Sequence, residues 1–112
     1  MITIWHNPRC SKSRQTLAII KEKQEITVRL YLEDAPFLEE IEQVQSLLGT
    51  SAIAMMRTGE KRFKELGLSK TDPDEKLRAV MAENPILIER PIVLANGKAA
   101  IGRPPESVLE IL

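Results

Sequence analysis

The sequence predicts a mixed α/β fold of 112 residues, in which a βαβ half and a ββα half flank a helical insert. Three observations predict it. A strand–helix–strand pattern runs from Ile2 to Glu33, the middle of the chain carries signals for helix starts and stops, and Asn96-Gly97 separates two short apolar segments near the end. The length argues for one domain with one hydrophobic core, spanning residues 1–112.

The first half begins with a short apolar segment, Ile2 to Trp5, which predicts a buried strand. Asn7-Pro8 ends that strand, and Ser11 to Lys23 predicts a helix. From Ile26 to Glu33 apolar and polar residues alternate, which predicts a strand with one face more buried than the other. A strand–helix–strand order favours a right-handed crossover that joins two parallel strands.

The middle of the chain is predicted to be helical. Pro36 suits a helix start and Gly49 suits the end of the same helix. Asp72-Pro73-Asp74-Glu75 combines a capping residue, a proline at the first helical position and acids in the first turn, so it predicts a further helix, which Asn84-Pro85 stops. Two shorter helices are predicted between them, over Ser51–Met56 and Lys61–Leu66.

The last part of the chain reads as a hairpin followed by a helix. Ile92 to Leu94 predicts a strand, Asn96-Gly97 is the strongest two-residue hairpin signal, and Ala99 to Ile101 is predicted to return antiparallel. Pro104-Pro105 opens a last helix that is predicted to run to Leu112. The order βαβ, helical insert, ββα is that of a thioredoxin-like fold with a helical insert between its halves.

Composition narrows the classes of function. Lysine plus arginine and aspartate plus glutamate number 16 each, so the formal net charge is zero, and we expect no nucleic-acid partner. No apolar run is long enough to span a bilayer, so no membrane association is expected. One cysteine makes no internal disulfide, which fits the reducing cytoplasm, and one cysteine with one histidine is a poor metal-ligand set.

Cys10 is the first candidate for chemistry, because it follows a strand and a proline-containing turn and precedes a helix. The backbone N–H groups of Lys12, Ser13 and Arg14 are expected to point at its sulfur, where a helix N-terminus favours negative charge. Arg9, Lys12 and Arg14 add positive charge, and each effect lowers a thiol pKa. The alternative is a buried, inert cysteine, for which a polar and basic loop is a poor location.

Two polar residues flank Cys10. Ser13 stands where a C-x-x-C motif carries its second cysteine, so an oxidised Cys10 needs an outside thiol, such as glutathione, to restore it. The Ser13 hydroxyl could also donate to the sulfur, or the residue could serve only the first helical turn. His6 could pair with the thiolate and tune it, or could simply cap the end of the strand.

Three arginines are candidates for holding an oxyanion: Arg57, Arg90 and Arg103. The last two lie at the ends of the predicted C-terminal strands, where open α/β sheets commonly bind ligands. A guanidinium group makes bidentate bonds to tetrahedral oxyanions, although each arginine taken singly also fits an ordinary surface position. The C-x5-R loop of low-molecular-weight phosphatases is absent, because Thr16 stands six residues after Cys10. Any oxyanion must therefore be held by arginines from elsewhere in the chain.

Nearly the whole chain shows a family resemblance. The segment Trp5-His6-Asn7-Pro8-Arg9-Cys10-Ser11-Lys12-Ser13 resembles the active-site loop of the glutaredoxin-coupled arsenate reductases, the ArsC-like family. Leu30-Tyr31-Leu32-Glu33 resembles the second strand of that family, and Ile88-Glu89-Arg90-Pro91-Ile92-Val93 resembles the segment before its hairpin. Gly102-Arg103-Pro104-Pro105-Glu106 resembles its final turn. The similarity is greatest to the short, YfgD-type subgroup.

The resemblance implies a role for each matching residue. Cys10 matches the nucleophile of the family, and its oxyanion-binding triad is matched by Arg57, Arg90 and Arg103. His6 matches the histidine near the thiolate, and Ser13 matches the serine that replaces a second cysteine. Pro91 matches the cis-proline beside the active site, a role open to it because an X-Pro bond tolerates the cis form.

The implied reaction is the reduction of arsenate through a covalent adduct on Cys10, with glutathione as the external reductant, glutaredoxin as the protein partner and no bound cofactor. Two other functions stay open. A monothiol exchange enzyme of the glutaredoxin type would act on glutathione mixed disulfides and would not need three arginines. A non-catalytic binding module of the Spx type usually carries C-x-x-C, where this chain has Ser13.

Overall fold

The computed structural model describes residues 2–23 and 25–112. In this part of the chain the strands are β1 (Ile2–Trp5), β2 (Ile26–Arg29), β3 (Ile92–Ala95) and β4 (Lys98–Ile101). The α-helices are α1 (Ser11–Lys21), α2 (Leu38–Leu48), α3 (Lys61–Glu65) and α4 (Asp74–Glu83). Short 3-10 helices cover Ala52–Met55, Pro85–Leu87 and Pro105–Ile111.

The four strands form one sheet in the order β2-β1-β3-β4. β1 and β2 are parallel, as the strand–helix–strand pattern predicts, and β1 pairs antiparallel with β3. β3 and β4 form the predicted antiparallel hairpin. Its turn has positive φ at both central residues, 54° at Asn96 and 71° at Gly97, which is the type I′ geometry that Asn-Gly favours. The thioredoxin-like fold with a helical insert between its halves is confirmed.

The chain divides into two compact units. The first unit, Met1–Asp34 with Arg90–Leu112, contains the sheet, α1 and the C-terminal 3-10 helix. Its core joins apolar side chains from the sheet and both helices: Ile2, Ile4, Ile20, Val93, Ala95, Val108 and Ile111. The prediction that residues 1–112 form a single domain stays a prediction.

The second unit, Ala35–Glu89, is the helical insert. α2 and α4 pack together, and each buries apolar side chains at helical spacing: Ile41, Val44, Leu77 and Met81. The Gln45 amide donates to the Asp74 carboxylate at 2.9 Å and so joins the two helices. Gly49 ends α2 in the left-handed conformation that the sequence predicts there.

The second strand differs most from its prediction. β2 ends at Arg29, and the chain then turns, with the amide groups of residues 33 and 34 both donating to the Leu30 carbonyl. Val28 and Leu30 are exposed, whereas Tyr31 is fully buried. The predicted continuation of the alternating strand to Glu33 is therefore wrong, because a hydrogen-bonded turn at Leu30 ends the strand and buries Tyr31 in place of Leu30 and Leu32.

Helix boundaries differ by smaller amounts. α1 ends at Lys21, two residues before the predicted end, and α4 begins at Asp74, so that Pro73 occupies the capping position. The last helix is a 3-10 helix over Pro105–Ile111 and not an α-helix to Leu112. The predicted Ser51–Met56 helix is likewise a 3-10 helix, over Ala52–Met55. Such short segments gain little from α-helical cooperativity, which needs several successive turns.

Candidate active site

Cys10 stands at the N-cap position of α1, directly after the loop that leaves β1. Its backbone is extended, its N–H donates to the Asn7 carbonyl at 3.0 Å, and its carbonyl accepts the Arg14 N–H at 3.0 Å. The side chain is partly exposed. The first turn of α1 therefore begins at Cys10, and the thiol is accessible to solvent.

Two of the three predicted arginines reach the Cys10 sulfur. Nη2 of Arg103 donates to Sγ at 3.4 Å, and the Arg90 side chain also hydrogen-bonds the thiol. Arg103 is oriented by a second bond, from Nε to the Arg90 carbonyl at 2.8 Å. The structure thus brings two guanidinium groups to one sulfur, while the role of Arg90 and Arg103 in holding an oxyanion stays a prediction.

These surroundings lower the pKa of the Cys10 thiol below its ordinary value. Burial is the largest single influence and taken alone raises the pKa, since it disfavours the charged form. It is outweighed by the backbone N–H of Ser13, the Arg90 side chain, the backbone N–H of Lys12 and the positive charge of Arg90. The thiolate that a nucleophile requires is therefore favoured. The N–H of Arg14, the third predicted donor, bonds the Cys10 carbonyl.

His6 and Ser13 bond to each other beneath the loop. Both are buried, and Nδ1 of His6 lies 2.6 Å from Oγ of Ser13, which also accepts the Asn7 N–H at 3.0 Å. Burial, followed by the positive charge of Arg14, lowers the pKa of His6, so the ring is neutral near neutral pH. The pair thus supports the loop that carries Cys10, and a direct effect of either side chain on the sulfur stays a prediction.

Asn7 is a residue that the sequence predicts only as a turn. It is buried, its Oδ1 accepts the Arg9 N–H at 3.0 Å, and its backbone bonds both Ser13 and Cys10. The side chain therefore closes the loop in the manner of an Asx turn. The available signal was the Asn-Pro pair, since asparagine commonly bonds the backbone two residues further on.

Pro91 follows Arg90 through a cis peptide bond, as the family resemblance implies. The Pro91 carbonyl accepts the N–H of Gly102 at 2.9 Å, which joins the start of β3 to the end of β4. A second cis bond, Arg103–Pro104, follows directly and is not predicted from the sequence. Arg90 and Arg103 thus stand on two neighbouring segments, each followed by a cis-proline.

Arg57, the third predicted arginine, belongs to the second unit. Its Nε lies 3.0 Å from Glu60 Oε1, and its Nη1 lies 3.1 Å from Glu89 Oε1. Burial alone would lower the pKa of Arg57, but the two carboxylates outweigh it and raise the pKa. Sequence reasoning missed this pairing, and the role of Arg57 as an oxyanion ligand stays a prediction.

The first unit assembles one thiol and two guanidinium groups, a set that can attack an electrophilic centre and offset negative charge on its oxygens. Within residues 2–23 and 25–112, no three His, Cys, Asp or Glu side chains are grouped so as to hold a metal ion. The same residues include no helix with the length and hydrophobicity needed to cross a membrane.

Comparison with known proteins gives consistent results. Residues 5–111 match the ArsC family. The chain is 50% identical to the uncharacterized protein YfgD of Escherichia coli K12, over 99% of this chain and 96% of that protein. It is 49% identical to an arsenate reductase of Neisseria meningitidis, over 99% of this chain and 97% of that enzyme. The solved structure of an arsenate reductase from Vibrio cholerae is similar with a TM-score of 0.94 and 50% identity, covering 99% of this chain and 97% of that one.

Proposed function

The chain belongs to the ArsC family, and from this premise we propose that it reduces arsenate to arsenite in the cytoplasm, with Cys10 as nucleophile and with electrons from glutathione and glutaredoxin. The observation that carries the proposal is the meeting of Arg90 and Arg103 at the Cys10 sulfur. A thiol-exchange enzyme also benefits from a lowered thiol pKa, but its reaction contains no tetrahedral oxyanion for two guanidinium groups to hold.

The first step is the binding of the oxyanion. Arsenate is a tetrahedral anion, and a guanidinium group can bond two of its oxygens at once. Arg90 and Arg103 already hydrogen-bond the sulfur, so an arsenate bound by them would have its arsenic next to the attacking atom. Arg57 is proposed as a third ligand on the family resemblance.

The second step is the attack of the Cys10 thiolate on arsenic. An S–As bond forms, an As–O bond breaks, and the departing oxygen takes up protons and leaves as water. Arg90 and Arg103 offset the charge that develops on the remaining oxygens. The arsenic is still in the +5 state in this adduct.

The electrons enter in a third step, from outside the chain. A glutathione thiolate attacks the adduct and forms an S–S bond with Cys10, while the electron pair of the S–As bond stays on arsenic and arsenite leaves. Glutaredoxin then reduces the mixed disulfide and restores the thiolate. The chain has one cysteine, so the second sulfur has to be supplied by another molecule.

The test is an assay in which NADPH oxidation is coupled to glutathione reductase, glutathione and glutaredoxin. We expect arsenate-dependent NADPH consumption with the wild type, none with Cys10→Ser, and a strong decrease when glutaredoxin is omitted. Circular dichroism of the Cys10→Ser variant controls for loss of fold. The proposal would be overturned if iodoacetamide alkylated Cys10 of the wild type readily but arsenate caused no NADPH consumption in the coupled assay.

A further inference from the structure

Gly102, the residue between β4 and Arg103, occupies a space too small for any side chain. It is buried, and its N–H donates to the Pro91 carbonyl at 2.9 Å. A Cβ atom at this position would lie 2.5 Å from Thr16 Oγ1 and 2.7 Å from Pro91 Cγ. Both distances are well inside van der Waals contact. The backbone at residue 102 can therefore lie this close to α1 only because the residue is glycine.

Thr16 cannot easily yield. It is fully buried on α1, and its hydroxyl donates to the Lys12 carbonyl one turn earlier, at 2.8 Å. The same helix begins at Cys10. The contact between Thr16 and Gly102 thus joins the helix that carries the nucleophile to the residue that directly precedes Arg103.

We propose that Gly102 and Thr16 are positioning residues, and that their contact sets the distance between the Arg103 guanidinium and the Cys10 sulfur. The reason is geometric. Arg103 reaches the sulfur at 3.4 Å from a backbone position that directly follows the close approach of Gly102 to Thr16 of α1. A side chain at residue 102 would move that backbone away from α1 and would carry Arg103 with it. The expected effect on Cys10 reactivity is independent of the proposed function, whereas the expected effect on oxyanion binding rests on it.

The experiment uses Gly102→Ala and measures the rate of Cys10 alkylation by iodoacetamide against pH, with and without arsenate as a protecting ligand. We expect the alkylation rate near pH 7 to fall roughly three- to tenfold because the Cys10 pKa rises, and we expect arsenate protection to weaken. The matched control is Gly59→Ala, because a Cβ at Gly59 meets nothing within 4 Å. The control should leave the alkylation profile unchanged.

A second substitution tests the named contact. Thr16→Ala in the Gly102→Ala background removes both Thr16 atoms that crowd the new methyl group and leaves only Pro91 Cγ, which a change of ring pucker can move. We expect the alkylation rate of this double variant to return to within about twofold of that of Thr16→Ala alone. Thr16→Val, which puts a larger methyl group in place of the hydroxyl, should give a smaller change in the same direction as Gly102→Ala. Thr16→Val replaces Gly102→Ala in the experiment if Gly102→Ala does not fold.

The outcomes are distinct. Unchanged alkylation and unchanged arsenate protection in both Gly102→Ala and Thr16→Val would overturn the inference. Slower alkylation in these variants would support the positioning role. If arsenate did not protect Cys10 of the wild type from iodoacetamide, the positioning role would stand and the proposed function would be contradicted.

Discussion

Nη2 of Arg103 lies 3.4 Å from Sγ of Cys10, although 93 positions separate the two residues in the sequence. The register of the sheet explains the approach. Trp5, at the end of β1, is paired with Ile92, at the start of β3, and Ile92 is paired with Ile101, at the end of β4. The segment after β1, the segment before β3 and the segment after β4 therefore all meet the sheet at the same end of its strands. These three segments carry Cys10, Arg90 and Arg103.

The first prediction concerns the protonation of Cys10. Because the pKa of Cys10 is lowered in the folded protein, the thiolate should persist to lower pH than in the unfolded chain. The rate of iodoacetamide alkylation, measured against pH, should show a lower apparent pKa for native protein than for protein in urea, where the value should be near the ordinary one of about 8.5. Arg90→Ala should shift the native profile towards the unfolded one. Coinciding profiles for native and unfolded protein would contradict the prediction.

The second prediction concerns the pH dependence of stability. Burial, and then the charge of Arg14, lowers the pKa of His6 below 6.5 in the folded state. Between the folded-state pKa and the ordinary value, the unfolded chain binds a proton that the folded chain does not. The free energy of unfolding should therefore rise with pH through that interval. The contribution of His6 to it should be complete above about pH 6.5 and should be lost as the pH falls through the folded-state pKa.

The measurement is a series of urea denaturation curves between about pH 5 and pH 7.5, for the wild type and for His6→Asn. His6 is the only histidine in the chain, so carboxylate titrations are common to both proteins and cancel in the difference. We expect the wild type to have the steeper rise of unfolding free energy with pH. Equal slopes would show that His6 has the same proton affinity in the folded and unfolded states.

The order of elements and the place of Cys10 at the start of a helix could be predicted because both depend on local signals. Asn96-Gly97 requires positive φ at two successive residues, and only a few residue pairs supply it. A polar, basic loop before a helix likewise marks Cys10 by its immediate neighbours. Such features are decided within a few residues, and the structure agrees with them.

Features that depend on contacts distant in sequence could not be predicted in the same way. The pairing of Arg57 with Glu89 joins residues 32 positions apart, and no pattern in the sequence distinguishes it from other possible ion pairs. The contact between Thr16 and Gly102 depends on how closely α1 approaches the end of β4. The burial of Tyr31 follows from a turn that ends β2 early, where alternation alone predicted a longer strand.

The third prediction separates two roles of Arg57. Its ion pairs with Glu60 and Glu89 join side chains that are each only about a quarter exposed, so Arg57→Met should lower the free energy of unfolding by roughly 1–3 kcal/mol, between the values for exposed and buried pairs. Arg62→Met is the matched control, because Arg62 and Glu65 are half exposed and 3.7 Å apart. The control should cost less than about 1 kcal/mol. A decrease of kcat/KM for arsenate in folded Arg57→Met would support the oxyanion role, and an unchanged value would leave Arg57 a structural residue.

The last prediction concerns the substrate. If Arg90 and Arg103 hold arsenate in the transition state, Arg90→Ala and Arg103→Ala should each lower kcat/KM for arsenate. A charge-assisted hydrogen bond contributes about 1.5–3 kcal/mol, so each loss should be roughly ten- to a hundredfold. Arg62→Ala is the control for the removal of an arginine, because Arg62 pairs with Glu65 and Asn84 and has no proposed role in binding arsenate, and it should retain wild-type kcat/KM.

The same variants distinguish arsenate reduction from general thiol exchange. Exchange between Cys10 and a glutathione mixed disulfide involves no tetrahedral oxyanion, so its rate should change much less in Arg103→Ala than the rate with arsenate does. Arg90→Ala and Arg103→Ala should each slow both reactions to the extent that they raise the Cys10 pKa, because both side chains hydrogen-bond the sulfur. Comparison at a pH where the thiolate is fully formed removes that contribution. A wild type that turns over mixed disulfides rapidly and does not act on arsenate would identify a monothiol exchange enzyme. A reactive Cys10 with neither turnover would instead favour a binding module, because the thiolate would then serve recognition or redox sensing and not catalysis.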